Sequence, residues 1–175
     1  MLHICCAPCS IVPIDTLRGE GMELRGFWFN PNIHPFQEYA KRREAVEQYG
    51  KMADVPMIWR DEYRLQDFLR MVAYREAERC RLCLRLRLAA AANVAKRGRF
   101  GYFTTSLLYS KRQQHDLIAE IGESVGKEAG VKFLYRDFRS GWKEGITRSK
   151  EAGLYRQQYC GCIYSEKERF RGKLD

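Results

Sequence analysis

Short apolar segments that are typical of strands alternate along this chain with longer segments of helical periodicity. The five predicted strands are residues 2–5, 24–29, 55–59, 102–105 and 132–135. Between them, apolar side chains recur at helical spacing, as Leu65, Phe68 and Val72 show. Strands that alternate with helices form a parallel sheet with helices on both faces. Without any repeat or linker, the sequence predicts a single α/β domain over residues 1–175 with a mostly parallel sheet of about five strands.

Two of the predicted helices carry detailed expectations. Ser10 is placed to cap the helix that follows the first strand. A long amphipathic helix is predicted after residue 83, with Leu84 and Leu88 facing the core. Arg85 and Arg87 are predicted to face solvent in this helix, because charged side chains occupy the outer face of an amphipathic helix.

Reactive or polar residues follow three of the predicted strands. Cys5, Cys6 and Cys9 come directly after the first strand. Residues 104–106 close the fourth strand, and Asp137 follows the fifth. In Rossmann-like and adenine-nucleotide-hydrolase-like folds, ligands bind at the carboxyl ends of the strands. These three groups of residues are therefore expected to line one crevice.

All seven cysteines fall in three short groups. The groups are Cys5-Cys6-x-x-Cys9, Cys80-x-x-Cys83 and Cys160-x-Cys162. The first residues lack the charged and apolar regions of a secretory signal, so the protein is expected in the cytoplasm. Structural disulfides are rare in that reducing compartment, and clustered cysteines there indicate metal ligands or redox groups.

The first two cysteine groups together suit a metal centre. Thiolates are soft ligands for zinc, copper(I) and iron–sulfur clusters, and a spacing of two residues lets both sulfurs face one metal. The simplest count takes four ligands, Cys5, Cys6, Cys80 and Cys83, and leaves Cys9 as a further thiolate near the metal. Spacing alone leaves open which of the first three cysteines is the spare one.

The third cysteine group indicates a different chemistry. Cys160 and Cys162 can close a small disulfide ring, and the glycine between them relaxes the backbone. A strained disulfide is reduced more easily than a structural one. We therefore interpret this pair as a redox-active dithiol, with metal ligation as the alternative.

The other titratable candidates carry a weaker signal. His3, His34 and His115 lie in no spaced ligand motif and are expected to be structural or at the surface. Asp137 has arginines on both sides in the sequence. On the residues alone, this pattern indicates a salt-bridged acid in a loop.

The charge of the chain indicates a polyanionic partner. Lysine and arginine number 31 against 22 aspartates and glutamates, which gives a formal net charge of +9. Because arginine binds phosphates and stacks on bases, RNA is favoured. The most apolar helical stretch, residues 88–95, is too short to cross a membrane. Arginine adjoins tyrosine at Tyr74-Arg75, Tyr135-Arg136 and Tyr155-Arg156.

Six motifs follow one another along nearly the whole chain. They are Cys5-Cys6-Ala7-Pro8-Cys9-Ser10, Phe29-Asn30-Pro31-Asn32-Ile33 with Glu38-Tyr39 and Lys41-Arg42, Arg79-Cys80-x-x-Cys83 with Arg85-Leu86-Arg87-Leu88, Tyr102-Phe103-Thr104-Thr105, Tyr135-x-Asp137-Phe138, and Gly153-Leu154-Tyr155-Arg156-Gln157-Gln158-Tyr159-Cys160-Gly161-Cys162. In this order they resemble the QueH-type, cobalamin-independent epoxyqueuosine reductases. Residues 107–112 depart from the family pattern, as does the segment before Cys80, which has fewer glycines.

The resemblance implies reduction of the epoxide of epoxyqueuosine in the anticodon loop of a tRNA. It implies a tRNA and an external electron donor as partners. It also implies a [4Fe–4S] cluster and an additional iron in place of cobalamin. The site residues that it implies are Cys5, Cys6, Cys80 and Cys83 for the cluster, Cys160 and Cys162 for a redox-active disulfide, and Cys9 and Asp137 for the additional iron and for catalysis.

Three other functions compete with this interpretation. An ATP-dependent tRNA-thiolating enzyme needs a glycine-rich phosphate loop after the first strand, and this chain has a proline and no glycine there. A zinc-binding RNA module would explain the charge but neither the adjacent cysteines nor the Cys-x-Cys pair. A metal-free thiol–disulfide oxidoreductase would need one dithiol and would leave five cysteines unexplained.

Overall fold

The computed structural model describes residues 1–173 and contains one five-stranded sheet. All four strand pairings are parallel, and the strand order is β3-β2-β1-β4-β5. This confirms the predicted α/β fold with a parallel sheet. The two C-terminal residues of the predicted domain, 174 and 175, lie outside the described part. The strands are β1 (Leu2–His3), β2 (Gly26–Trp28), β3 (Met57–Trp59), β4 (Tyr102–Thr105) and β5 (Lys132–Phe133).

Four of the five strands are shorter than predicted, and β1 shows the physical reason. The carbonyl of Ile4 accepts a hydrogen bond from the Asn30 side chain at 2.9 Å. The Cys5 amide donates to the Ser106 hydroxyl at 3.1 Å. Side chains therefore satisfy the backbone groups that a longer strand would have paired with its neighbours. The hydrophobic pattern of the sequence does not reveal that side chains take the place of these backbone partners.

Helices cover both faces of the sheet. Successive side chains of a strand point to opposite faces, and Leu2, His3, Phe27 and Trp28 are all completely buried. The helix α4 packs against α5, and α1 packs against α6. The helices are α1 (Ile11–Gly19), α2 (Phe36–Met52), α3 (Leu65–Val72), α4 (Arg79–Arg97), α5 (His115–Ala129), α6 (Trp142–Glu151) and α7 (Ile163–Phe170).

The predicted cap at Ser10 is wrong in its detail. Ser10 does precede α1, but its hydroxyl donates to the Ala7 carbonyl at 2.8 Å and makes no cap with the helix. This bond instead closes the loop that carries the first cysteine group. A hydroxyl cap does occur where the fourth strand ends, because the Thr105 side chain accepts a hydrogen bond from the Leu107 amide.

The part of the chain after β5 adds two helices, α6 and α7, and no strand within the described residues. Neither helix was predicted from the sequence. The α7 segment buries none of its side chains, so it lacks the apolar stripe that marks a helix in a sequence. In the described residues, none of the helices has the length and the apolar character that a membrane span requires.

Candidate metal and redox centre

One cavity of about 650 Å³ lies beyond the carboxyl ends of β1 and β4. Its walls come from the loop after β1, the first half of α4, the turn after β4, α6 and the segment 156–169. The expectation of a shared crevice is therefore confirmed for the first strand, whereas after the fourth strand the cavity is lined by Leu107 and not by the predicted residues 104–106, which are buried. Six of the seven cysteines line this cavity, namely Cys5, Cys9, Cys80, Cys83, Cys160 and Cys162.

The seventh cysteine belongs to the same centre. The sulfurs of Cys5, Cys6 and Cys9 all lie within 4.8 Å of one another and are buried. The Sγ atoms of Cys5 and Cys6 are 3.7 Å apart, and a disulfide joins Cys6 to Cys9. Soft sulfur donors packed this closely, without a carboxylate among them, fit a thiophilic metal or an iron–sulfur cluster.

Two polar side chains from distant parts of the chain support these sulfurs. The Ser106 hydroxyl lies 3.4 Å from the Cys5 sulfur. The amide of Gln157 donates to the sulfurs of Cys6 and Cys9 at 2.8 and 3.4 Å. Gln157 was not predicted as a site residue, because only the folded chain brings position 157 to the first loop.

The second cysteine group lies at the start of α4. Cys80 and Cys83 are three residues apart on this helix and therefore share one face. Burial raises the pKa of the Cys83 thiol to about 12 and also raises that of Cys80. Without a metal, the Cys83 thiol therefore keeps its proton at neutral pH, and a bound metal would replace that proton.

Arg87 corrects the prediction of an outward-facing side chain. It lies one turn after Cys83 and is only 2% exposed. Its guanidinium donates to the Asn30 amide oxygen at 3.0 Å and lies 3.9 Å from the Cys83 sulfur. A signal was present in the sequence, because residues four apart on a helix share a face and the site cysteine stands four positions earlier.

The Cys-x-Cys segment reaches the cavity through backbone contacts with α2. Arg42 is buried and donates to the carbonyls of Cys160 and Tyr159 at 2.8 and 3.0 Å. The Gly161 carbonyl accepts a hydrogen bond from the His34 amide at 2.8 Å. Cys160 and Cys162 are free thiols, and Gln113 donates to the Cys160 sulfur at 3.3 Å.

Asp137 is not brought together with the cysteines. It does not line the cavity, and Arg139 binds both of its carboxylate oxygens at distances between 2.5 and 3.0 Å. The hydrogen bonds and the charge of Arg139 lower the pKa of Asp137 to about 2, so the side chain is ionised. The end of the fifth strand is thus a further exception to the predicted shared crevice. The fifth strand stands at the edge of the sheet, and residues 135–137 of the loop that follows it are exposed.

The histidines are structural, as expected. His3 is fully buried between the Thr105 hydroxyl and the Phe29 carbonyl, and burial lowers its pKa to about 3. Burial likewise lowers the pKa of His34 to about 4. His115 is buried at the start of α5 and contacts the Ser110 carbonyl at 3.1 Å.

Known proteins resemble this chain over almost its full length. Residues 1–168 match the profile of the family described as Epoxyqueuosine reductase QueH. A protein of that name from Dehalococcoides mccartyi is 36% identical over 97% of this chain and 93% of its own length. A second, from Thermotoga maritima, is 35% identical over 97% of this chain and 91% of its own length. A third, from Streptococcus pyogenes, is 31% identical over 95% of this chain and 70% of its own length. Together with a cysteine-lined cavity at the carboxyl ends of a parallel sheet, these matches show that the chain belongs to the epoxyqueuosine reductase QueH family.

Proposed function

We propose that this protein is an epoxyqueuosine reductase that acts on the anticodon loop of a tRNA. The observation that carries the proposal is the convergence of all three cysteine groups on one cavity in a chain of the QueH family. The reaction consumes two electrons and two protons. The epoxide oxygen leaves as water, and the two carbons that held it become doubly bonded, which gives queuosine.

The proposed cofactor is a [4Fe–4S] cluster held by Cys5, Cys6, Cys80 and Cys83, without cobalamin. Cys5, Cys80 and Cys83 line the same cavity from two elements, and the Cys6 sulfur lies 3.7 Å from that of Cys5. When bound, such a cluster supplies electrons one at a time, and an open iron acts as a Lewis acid on an oxygen atom. Ser106 and Gln157 orient the sulfurs of the first loop through their hydrogen bonds.

Cys9 and Asp137 are the proposed ligands of an additional iron. Cys9 lines the cavity and is the cysteine left over by the proposed cluster, and its disulfide with Cys6 must be reduced before either sulfur binds iron. Asp137 contributes an ionised carboxylate on the side of the sheet where the carboxyl ends of the strands lie. Ligation by Asp137 requires its carboxylate to leave Arg139, since both oxygens are bound there.

The dithiol of Cys160 and Cys162 is the proposed source of reducing equivalents in the site. Oxidation of two thiols to one disulfide releases two electrons and two protons, which is the amount that removal of one epoxide oxygen consumes. An external electron donor would then reduce the disulfide again. Both sulfurs line the cavity, and Cys160 is exposed and therefore accessible to that donor.

The mouth of the cavity fits an RNA loop. Arg112, Arg156 and Arg169 line it, are exposed, and form no ion pair among residues 1–173. Among the described residues, Glu168 is the single acid in the cavity wall, and it is already paired with Arg79. Arginines without carboxylate partners are available to bind phosphates, which supports a tRNA substrate at this surface.

The substrate pocket also has an aromatic wall. Tyr109 and Trp142 stack at 5.1 Å between ring centroids, and both line the cavity. The Tyr109 hydroxyl donates to the Trp142 carbonyl at 2.9 Å, and burial raises the pKa of Tyr109. We therefore assign these rings to contact with the nucleoside, since a splayed RNA base is commonly held on aromatic side chains.

The proposal is tested by purifying the protein without oxygen and measuring iron, zinc and acid-labile sulfide. We expect about four irons or more with matching sulfide, and conversion of epoxyqueuosine-tRNA when a reductant is supplied. Cys80→Ser is expected to lose iron and activity together. The matched variant Cys160→Ser is expected to keep the iron and lose the conversion. Stoichiometric zinc without sulfide would overturn the cluster and leave an RNA-binding zinc protein.

A further inference from the structure

Arg87 is a buried cation without a carboxylate partner. It is 2% exposed, and no acid lies within ion-pair distance of it in the part of the chain that the structure describes. Its Nε atom is buried and has no hydrogen-bond partner. Burying an uncompensated charge costs free energy, so such a residue calls for a negative group beside it.

A second buried arginine provides the comparison. Arg42 is also 2% exposed, but Glu38 binds its Nε at 2.6 Å and two backbone carbonyls accept from its remaining nitrogens. The chain therefore supplies a full set of partners to one buried arginine. For Arg87 the chain supplies the neutral Asn30 amide and no negatively charged partner among the described residues.

The groups that face Arg87 with potential negative charge are all sulfurs. Its Nη1 lies 3.9 Å from the Cys83 sulfur, and the thiols of Cys5 and Cys160 are the other groups whose ionised form would stabilise its charge. Cys83 and Cys5 belong to different cysteine groups. Arg87 contacts the Cys83 sulfur and lines the same cavity as Cys5 and Cys160, so it shares that cavity with all three cysteine groups.

We propose that Arg87 is a positioning residue that compensates the negative charge of the thiolate-bound cluster and thereby raises its reduction potential. This inference rests on the proposed function. Four thiolates bring more negative charge than the iron–sulfur core cancels, and one-electron reduction adds another negative charge. A fixed cation beside the ligands stabilises the reduced form more than the oxidised one, because the attraction grows with the charge.

The test measures the midpoint potential of the cluster by a spectroscopic redox titration of the anaerobically purified holoprotein. Arg87→Gln removes the charge and keeps a hydrogen-bond donor, whereas Arg87→Lys keeps the charge and loses the planar guanidinium group. Arg85→Gln is the matched control. It removes the same charge from the same helix on the solvent side, where Glu128 pairs with Arg85 at 2.9 Å.

We expect the equilibrium constant for cluster reduction to fall at least tenfold in Arg87→Gln. For a one-electron couple this is a shift of about 59 mV to a more negative potential. Arg87→Lys should stay close to the parent protein, and Arg85→Gln should not differ from it. A loss of iron in Arg87→Gln that Arg87→Lys does not share would also support a charge role.

Two results would overturn the inference. The first is an Arg87→Gln protein with the parent iron content and the parent potential. The second is an equal shift, or an equal loss of iron, in Arg87→Gln and Arg87→Lys, which would assign Arg87 to packing of the Asn30 loop. The proposed function fails separately, since it fails when the parent protein itself holds no iron and no sulfide.

Discussion

Asp137 has one partner in the structure and a different one in the proposed function. Arg139 holds both carboxylate oxygens, and the side chain lies outside the cavity wall. From the sequence, the residue pattern indicated a salt-bridged acid, whereas the family resemblance indicated an iron ligand. The two roles differ in what happens to the metal when the carboxylate is removed.

We predict that Asp137→Asn lowers the iron content of anaerobically purified protein by roughly one ion per chain. The reason is that a negatively charged carboxylate binds iron more strongly than the neutral amide that replaces it. Arg139→Gln serves as the control, since it breaks the same ion pair and leaves the carboxylate in place. The measurement is iron and sulfide per chain. Unchanged iron in Asp137→Asn would contradict the ligand role and leave the ion pair with Arg139 as its only function.

Arg87 and Gln157 show why single residues at a site are hard to predict. Arginine on an amphipathic helix ordinarily faces water, so Arg87 was assigned to the outer face of α4. Arg87 is buried instead, because its guanidinium contacts polar groups inside the site, and a hydropathy pattern does not register such contacts. Gln157 lies about 150 positions from the sulfurs that it contacts, and no local pattern links the two.

At the scale of elements, the segment that carries the dithiol has no regular structure of its own before α7. It is fixed from α2 and the loop before it, through Arg42 and the His34 amide. Gly161 permits this contact: its backbone has φ +157°, and a Cβ atom there would lie 2.8 Å from Asn32 Nδ2 and 3.3 Å from Ile33. The spacing of the cysteines could be read from the sequence, but the contacts that hold their segment against α2 and the loop before it could not.

We predict that Gly161→Ala displaces the Cys-x-Cys segment and lowers the rate of epoxyqueuosine-tRNA conversion by about tenfold or more, because small misplacements of reacting groups are costly. Iron content should stay at the parent level, since the assigned cluster ligands lie elsewhere. Gly101→Ala is the control, as a Cβ there meets nothing within 4 Å. Parent-like conversion by Gly161→Ala would show that the close contact with Asn32 is not needed for catalysis.

Prediction of the elements succeeded where apolar residues recur at regular spacing and failed where buried apolar residues are sparse. All five strands and the first five helices have apolar residues at the expected spacing, and all were located. The helices α6 and α7 carry few buried side chains, so their sequences look like loops. These two helices belong to the last quarter of the chain, which lines the cavity, rather than to the part that builds the sheet.

On the scale of the whole molecule, the net charge of +9 is unevenly available for binding. Many arginines are engaged in surface ion pairs, such as Arg81 with Glu120 and Arg136 with Glu20. The three arginines at the cavity mouth are not. Unpaired positive charge is therefore present where the proposed substrate must enter, as it also is at Arg97, and composition alone could not locate it.

We predict that replacing Arg112, Arg156 and Arg169 by glutamine weakens tRNA binding and flattens its salt dependence. Each lost phosphate contact should reduce the slope of log K against log salt by about 0.7 to 0.9. Arg97→Gln is the control, because Arg97 is also exposed but lies at the far end of α4. Binding is measured at several salt concentrations. An unchanged slope in the triple variant would place the tRNA on another surface.

The cavity is built from two unequal stretches of the chain. The four sulfurs assigned to the cluster all lie within the first 83 residues, and the last strand ends at Phe133. The dithiol and the arginines at positions 156 and 169 come afterwards. A chain that leaves the ribosome N-terminus first therefore exposes the five strands and the proposed metal ligands before the segment with Cys160 and Cys162 has emerged. The order of emergence matches an order of assembly in which the proposed metal enters an open site and the proposed redox-active cysteines then complete the cavity.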